Sequence, residues 1–386
     1  MSFQRAAELS EKQVLERKTC PNLALIILAY NGWQDTLECL ESIFQSNCHY
    51  QYQVVVVDNG SSDGSAEKVK EWADGRTQIG SRFFEYEPGN KPIPYVEYHK
   101  PTAESGVDGG SEQFISCGGG SATPQPLVII RTGDNLGFAG GANVGIRYAL
   151  STKYSYIGLL NNDAVVDAHA LAHLIDTLDS NNRIGVLGPK ILWYDSPSVI
   201  WYAGASSRLW RGDVPHMLGM GYRDSPVFLG TRNTEFVTGC ALFAKREVFE
   251  AIGLFNEDYF IIHEDCDFCL RVKKDARFQI CVALGARVWH KAGGISQARN
   301  PNWTSTYFSN KHRLMLVLRH AGVGEKTIFT IFYAVTRIPK FLALLFRGRH
   351  KLIEAECVAV VDFWRGRFGP SDRDKIVGWE RGGRRP

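Results

Sequence analysis

An α/β fold on a mostly parallel sheet, with helices on both faces, is predicted by three features of the 386-residue sequence. Short unbroken apolar runs at Leu23–Ala29 (LALIILA), 53–57 (QVVVV), 127–130 and 156–160 read as strands buried on both faces. Amphipathic helical stretches separate them, which calls for βαβ crossovers. Polar residues gather just past the runs, where such sheets place their ligands. The composition, 44% apolar and 22% charged, leaves ample material for a core. It excludes a disordered, collagen-like or polytopic membrane chain.

Taken in order, residues 1–20 read as a charged tail without an apolar core, so no signal peptide is expected. The run Leu23–Ala29 opens the main domain and is followed by an amphipathic helix over 34–46. The next strand ends at Asp58, and Ser62–Asp63 starts a helix reaching about Trp72. The segment 88–126 breaks this rhythm, with 7 Gly, 6 Pro and 4 Ser in 39 residues. That composition offers too little apolar surface to offset its ordering entropy, so a partly mobile insertion is expected, with a short extended piece near 95–98. The strands at 127–130 and 156–160 flank a helix over 138–150. Further strands are expected at 184–187, 199–203, 236–244, 278–283 and 286–289, with a turn-rich stretch at 211–233 and a helix over 263–274. From 307 onward the chain is helical and increasingly apolar, so the main domain is set at 21–306 and a helical, basic region at 307–386. No internal repeats occur.

Charge is uneven: residues 337–386 hold 12 Lys+Arg against 6 Asp+Glu, within a total net charge of +3. A near-neutral body with a basic end suits an anionic surface met at that end, with no nucleic-acid partner. The nine cysteines are odd in number and scattered, so a disulfide framework is not expected, and the setting is reducing and cytoplasmic. Cys266 and Cys269 have C-x-x-C spacing but no second pair, so they read as two buried thiols.

Four polar clusters carry the chemistry. Asp58, at a strand tip before Asn59-Gly60-Ser61-Ser62-Asp63, suits a hydrogen bond to a base or ribose, or simply a turn with Asp63 capping the next helix. Asn135-Leu136-Gly137-Phe138-Ala139-Gly140-Gly141-Ala142-Asn143 is a glycine-rich helix start that suits anions, although it departs from G-x-G-x-x-G. Asn161-Asn162-Asp163 sets one carboxylate between amides and the next turn, a donor set for a hard divalent ion, or a capped loop. His263-Glu264-Asp265-Cys266-Asp267 crowds acids into a first helical turn, explained by the macrodipole or by a general base facing a cleft. His290 follows an apolar pair, as a structural histidine or a ligand.

The order of these clusters, with Ala29-Tyr30-Asn31-Gly32 and Thr238-Gly239-Cys240-Ala241, resembles a family 2 glycosyltransferase of GT-A fold over about 21–319. Within it the chain is similar to the branch of rhamnosyltransferase-like and galactofuranosyltransferase-like enzymes. The resemblance implies that Asp58 contacts the base, the Asn31 loop lines the nucleotide, and Asn135, Gly137, Asn143 and Asn162 shape the nucleotide-sugar pocket. It implies that Asp163, standing where the family has Asp-x-Asp, holds a divalent metal (Mn2+ or Mg2+) with His290 as a further ligand. Asn161 replaces the first acid of that motif. Asp265 is the implied base, with Glu264 beside it. The implied reaction moves a sugar from a nucleoside-diphosphate donor (a dTDP- or UDP-sugar, dTDP-rhamnose among them) to a hydroxyl of a glycan or lipid-linked glycan acceptor, with inversion, in surface polysaccharide synthesis.

Two other classes share parts of this inventory. A sugar nucleotidyltransferase needs a basic Gly-rich loop near the first strand, which Ala29-Tyr30-Asn31-Gly32 does not provide. A nucleotide-sugar-binding protein without turnover keeps the pocket and is motivated by Asn161. The stretch 327–346 is apolar enough to raise a membrane span, but Arg337, Pro339 and Lys340 in its middle oppose one. Helices lying at the inner face of an anionic plasma membrane, or a helical cap packed on the domain, are the two expectations there.

Overall fold

The computed structural model describes residues 23–106, 127–152, 154–292 and 301–369. The first apolar run is β1 (Leu23–Ala29), which passes through a left-handed Asn31–Gly32 turn into α1 (Trp33–Phe44). β2 (Tyr52–Asp58) and α2 (Ser65–Ala73) repeat the unit, and β3 (Tyr95–His99), α3 (Lys100–Glu104), β4 (Leu127–Arg131), α4 (Gly137–Ser151) and β5 (Tyr156–Asn161) extend it. Next come β6 (Ala164–Val166), α5 (Ala170–Ser180), β7 (Ile184–Trp193), β8 (Ile200–Tyr202), β9 (Ala205–Arg208), β10 (Asp213–Met217), β11 (Thr231–Asn233) and β12 (Ala241–Lys245). α6 (Arg246–Ile252), α7 (Glu264–Asp275) and β13 (Gln279–His290) close the sheet, and α8 (Trp303–His320), α9 (Val323–Phe346) and α10 (His350–Trp364) follow.

The main sheet runs β11-β13-β7-β12-β5-β1-β2-β4-β3, with β6 on β13 and β8 on β7. β5, β1, β2, β4 and β3 are mutually parallel, while β12 is antiparallel to both of its neighbours. This is the predicted α/β class, a mostly parallel sheet covered by helices. The chain leaves β1 for β2 on one side and returns to its other side with β5, so the order reverses at β1, where a crevice opens beyond the carboxyl ends. Register sets what lines that edge: Ala29 pairs with Asp58, Leu28 with Asn161 and Asp58 with Arg131. Antiparallel β12 brings its own start to the same edge, since Ala241 pairs with Leu160.

The glycines of α4 serve helix–sheet contact. A Cβ on Gly145 would lie 2.5 Å from Ile26 Cγ2, and one on Gly141 2.5 Å from Leu28 Cδ1. Both would collide with β1, so the helix lies closer to the sheet than any larger residue permits.

The short extended piece expected near 95–98 is β3, which pairs in parallel with β4, while Glu97 is ion-paired with Arg131 and, at 2.6 Å, with Lys70. Edge hydrogen bonds and three charges order it. The rest of the expected insertion, 107–126, lies outside the described residues, as does the tail 1–20. Other expectations need correction. The strands expected at 278–283 and 286–289 are one strand, β13, with an irregularity between Ala283 and Arg287. The strand expected over 236–244 starts only at Ala241, because 236–240 forms a loop around the acidic helix. Helices α3, α5 and α6 fall outside the expected elements. The boundary drawn at 306 falls inside α8, whose His312 and His320 reach into the main domain. Cys266 and Cys269 are buried free thiols, as expected.

Candidate active site

Three loops at the sheet edge are zipped together by their own side chains. Asn31 Oδ1 accepts from Ser62 N at 2.9 Å, Asn31 N donates to Ser61 Oγ at 2.9 Å, and Gly32 N donates to Asp63 Oδ2 at 2.7 Å. Asp63 also accepts from Ser65 N at 3.0 Å, so it both starts α2 and ties down the β1 loop. Asp58 is 5% exposed, and its Oδ1 accepts from Ser61 N at 3.1 Å. Buried Asn59 joins this pair of loops to the third: its Nδ2 donates to Gly137 O at 3.0 Å and Asn135 Oδ1 at 3.2 Å, and its Oδ1 accepts from Leu136 N at 3.1 Å. The result is a rigid rim with Asp58 at its base.

The glycine-rich start of α4 does a different job from the expected anion cradle. Phe138 N and Ala139 N both donate to Phe260 O, at 2.7 and 3.3 Å. The first amides of the helix are thus satisfied by a protein carbonyl. Gly137 has φ 73°, and a Cβ there would lie 2.3 Å from that same oxygen. Asn143 is buried and holds Phe255 O and Glu257 Oε1 at 2.9 Å while accepting from Phe255 N at 3.0 Å. Gly137 and Asn143, expected to shape the nucleotide-sugar pocket, anchor the 255–263 loop that leads into α7. Asn135 accepts from Gly137 N at 2.9 Å, and Asn162 donates to Thr36 Oγ1 at 3.0 Å, so both brace their loops. Gly137→Ala combines backbone strain with a steric collision. It should cost more than about 2 kcal/mol by chemical denaturation and displace the loop bearing Asp265, lowering any turnover as well.

Asp163 and His290 meet. Nε2 of His290 lies 3.0 Å from Asp163 Oδ1, and the imidazole is 3% exposed. Burial alone would lower the imidazole pKa, but the Asp163 carboxylate and the nearby Cys240 sulfur outweigh it and raise the pKa well above the usual value. Trp201 packs edge-on against the ring at 4.9 Å. The 3.0 Å separation is that of an ion pair with the proton on the imidazole; once that proton is lost, the same two atoms present a nitrogen and an oxygen donor side by side, a donor set whose chemistry suits a divalent cation. Among the described residues no third His, Cys, Asp or Glu joins them, so further ligands would be water and substrate oxygens.

Asp265 is half-buried at the start of α7 and held by two backbone donors, Gly239 N on Oδ2 and Cys266 N on Oδ1, both at 2.8 Å. Burial pushes its pKa up, and those two amides partly offset the rise. Glu264 beside it is 5% exposed, and its Oε2 has no hydrogen-bond partner among the described residues. Burial first, then the Asp265 charge, raises its pKa well above the carboxylate range. The turn that presents them is strained: Ile262 and His263 have φ 70° and 78°. His312 of α8 clamps it, with Nδ1 2.9 Å from the carbonyl oxygens of Ile261 and Ile262. Asp267 is ion-paired with Arg271 and His320, both at 2.8 Å.

Two consecutive residues connect the halves of the site. Cys240 O accepts from Asn161 N at 2.8 Å, while Gly239 N holds Asp265. Gly239, Phe260 and His312 carry no local chemical signal; only the Thr238–Ala241 motif pointed at the first of them.

The model of the family described as "Glycosyl transferase family 2" matches residues 24–86 and 113–253. A low-salt glycan biosynthesis hexosyltransferase of Haloferax volcanii is 28% identical over 204 residues, 52% of this chain and 61% of that protein. An N-acetylglucosaminyl-diphospho-decaprenol L-rhamnosyltransferase of Mycobacterium tuberculosis is 27% identical over 210 residues, 47% of this chain and 66% of that protein. The chain thus spans less than two thirds of either relative. Among solved structures, a mannosyltransferase from Pyrobaculum calidifontis in complex with GDP-Man and Mn2+ aligns over 93% of this chain and 95% of that one, with 13% identity and a TM-score of 0.44.

Proposed function

The chain belongs to glycosyl transferase family 2, and on that premise we propose that it is an inverting glycosyltransferase using a dTDP- or UDP-sugar. The acceptor is a hydroxyl of a glycan or lipid-linked glycan, and the enzyme acts on the cytoplasmic side of the plasma membrane in surface polysaccharide synthesis. The observation that carries the reading is the Gly239–Cys240 dipeptide: the Gly239 amide holds the Asp265 carboxylate, and the Cys240 carbonyl accepts from Asn161 N, two residues before the Asp163 that pairs with His290.

The residues divide the work. The Asn31–Ser62 and Asp58–Ser61 contacts support a rigid nucleotide rim, with Asp58 beneath the base. Asp163 and His290 would hold Mn2+ or Mg2+. Such an ion, when bound, offsets the charge that builds on the departing diphosphate. Asp265 accepts the proton of the acceptor hydroxyl as that oxygen bonds to the anomeric carbon and the bond to the diphosphate breaks. Its two backbone donors fix the carboxylate, and its partial exposure leaves it reachable, which Glu264 is not. A single displacement inverts the anomeric centre. The test is incubation with a panel of nucleotide sugars and Mn2+, with release of nucleoside diphosphate as the signal. Release of dTDP or UDP is expected. Donor binding without release over many hours would instead identify a binding protein that has lost turnover.

A further inference from the structure

Helix α9 rests on the protein along one side only, and Phe329 is its single buried residue. Ile328, Ile331, Val335, Ile338, Leu342 and Leu345 are all exposed, from 51% to 66%. Their alternating spacing of three and four places them within an arc of about 100° and over a length of about 26 Å. Mean hydropathy over the best 18-residue window of the helix is 1.6. The cations that argue against an apolar environment lie on the opposite side. Arg337 donates to Glu356 Oε2 of α10 at 2.9 Å and to Asn310 Oδ1 of α8 at 3.1 Å, and Lys340 is ion-paired with Glu356. The outward stripe from Ile328 to Phe346 is therefore uncharged. At its end Arg347, Arg349, His350 and Lys351 are exposed. Pro301, Gly348, Arg349, His350, Lys351 and Leu352 line a cleft of about 550 Å³ there.

We infer that this face docks on a bilayer bearing anionic phospholipids, with the apolar stripe in the headgroup–acyl boundary and Arg349, His350 and Lys351 on lipid phosphates. A second copy of the chain is the competing occupant, since three-four spacing also suits a helix pair. Helix pairs in water flank their seam with charges. The flanking positions here are Phe332, Ala334, Pro339, Phe341 and Phe346, none of them charged. Lipid tolerates that flank, and a basic end complements anionic headgroups. One helix layer, α8, separates the face from the turn bearing Asp265, because α8 meets α9 through Asn310 and the turn through His312. Docking is independent of the transfer chemistry.

The full-length protein is floated with vesicles of phosphatidylcholine alone or with 30% phosphatidylglycerol, at low and high salt. Binding to the anionic vesicles should be at least about tenfold tighter than to neutral ones and should weaken with salt. Ile331→Glu with Ile338→Glu should lose binding to both, and Arg349→Glu with Lys351→Glu should lose only the anionic preference. Alkaline carbonate should release the bound protein. No binding by the intact protein, resistance to carbonate, or a dimer in buffer that the Ile331→Glu/Ile338→Glu pair converts to monomer would each overturn the inference. Nucleoside-diphosphate binding by thermal shift should be the same in all variants, so a protein that floats without binding nucleotide would sink the enzymatic reading alone.

Discussion

Asp265→Asn should lower the rate of sugar transfer by about 10²–10⁴-fold while leaving donor affinity nearly unchanged. Asparagine keeps the shape of the side chain but cannot take the acceptor proton. One of the two backbone donors, Gly239 N or Cys266 N, would then face the amide nitrogen, a local loss of about 1 kcal/mol that a melting curve will show. Glu264→Gln resembles the protonated acid that burial favours at that position, so it should fold normally and give a smaller, mixed change in rate and affinity. The two side chains diverge by about 100° on the helix and cannot present equally to one cleft. The pH profile supplies a second reading. A general base works only when ionised, so activity should fall as the pH drops through a pKa above the ordinary carboxylate range, because burial raises Asp265. The apparent value belongs to the Glu264–Asp265 pair, and the acid limb should vanish in Asp265→Asn. A near wild-type Asp265→Asn beside a dead Glu264→Gln would exchange the two roles. Two active variants would reduce the acids to helix capping.

Asp163→Ala should abolish the metal-dependent part of donor binding, a loss of at least about 100-fold in the presence of Mn2+, while the fold survives. Removing the carboxylate leaves His290 buried without its counter-charge, and the imidazole answers by becoming neutral rather than by unfolding the protein. Titration of UDP, dTDP and GDP with and without Mn2+ measures the effect, and full Mn2+-dependent affinity in the variant would remove Asp163 from the assignment.

Much of the front half was legible because strands buried on both faces appear as unbroken apolar runs. LALIILA and the valine run before Asp58 became β1 and β2 with ends within a residue or two of those expected. Asp58, Asn135, Asp163 and the acids of α7 stand out in the sequence as candidates because each lies at the end of such a run or at the start of a helix. The edge strand β3 stands where an extended piece is expected, near 95–98, while its pairing with β4 and its ion pairs with Arg131 and Lys70 are matters that composition does not reveal. Helix α6 has only seven residues, too few for a periodic signal.

The sequence by itself determined the class of fold, the strand tips where polar groups collect, and the identity of the residues that carry charge there. Those are local matters, decided by periodicity, turn chemistry and residue type over a dozen positions. Only the tertiary structure decided which distant loops those residues brace. Asn143 and Gly137 read as pocket residues in sequence, and only the fold shows that they also anchor the acidic loop, through Phe255 and Phe260 more than a hundred residues away. The same holds for the last helices. Arg337 and Lys340 oppose an apolar reading of 327–346 until Glu356 of the next helix draws both charges to one side. Pairings across long loops follow from packing, which linear spacing does not encode.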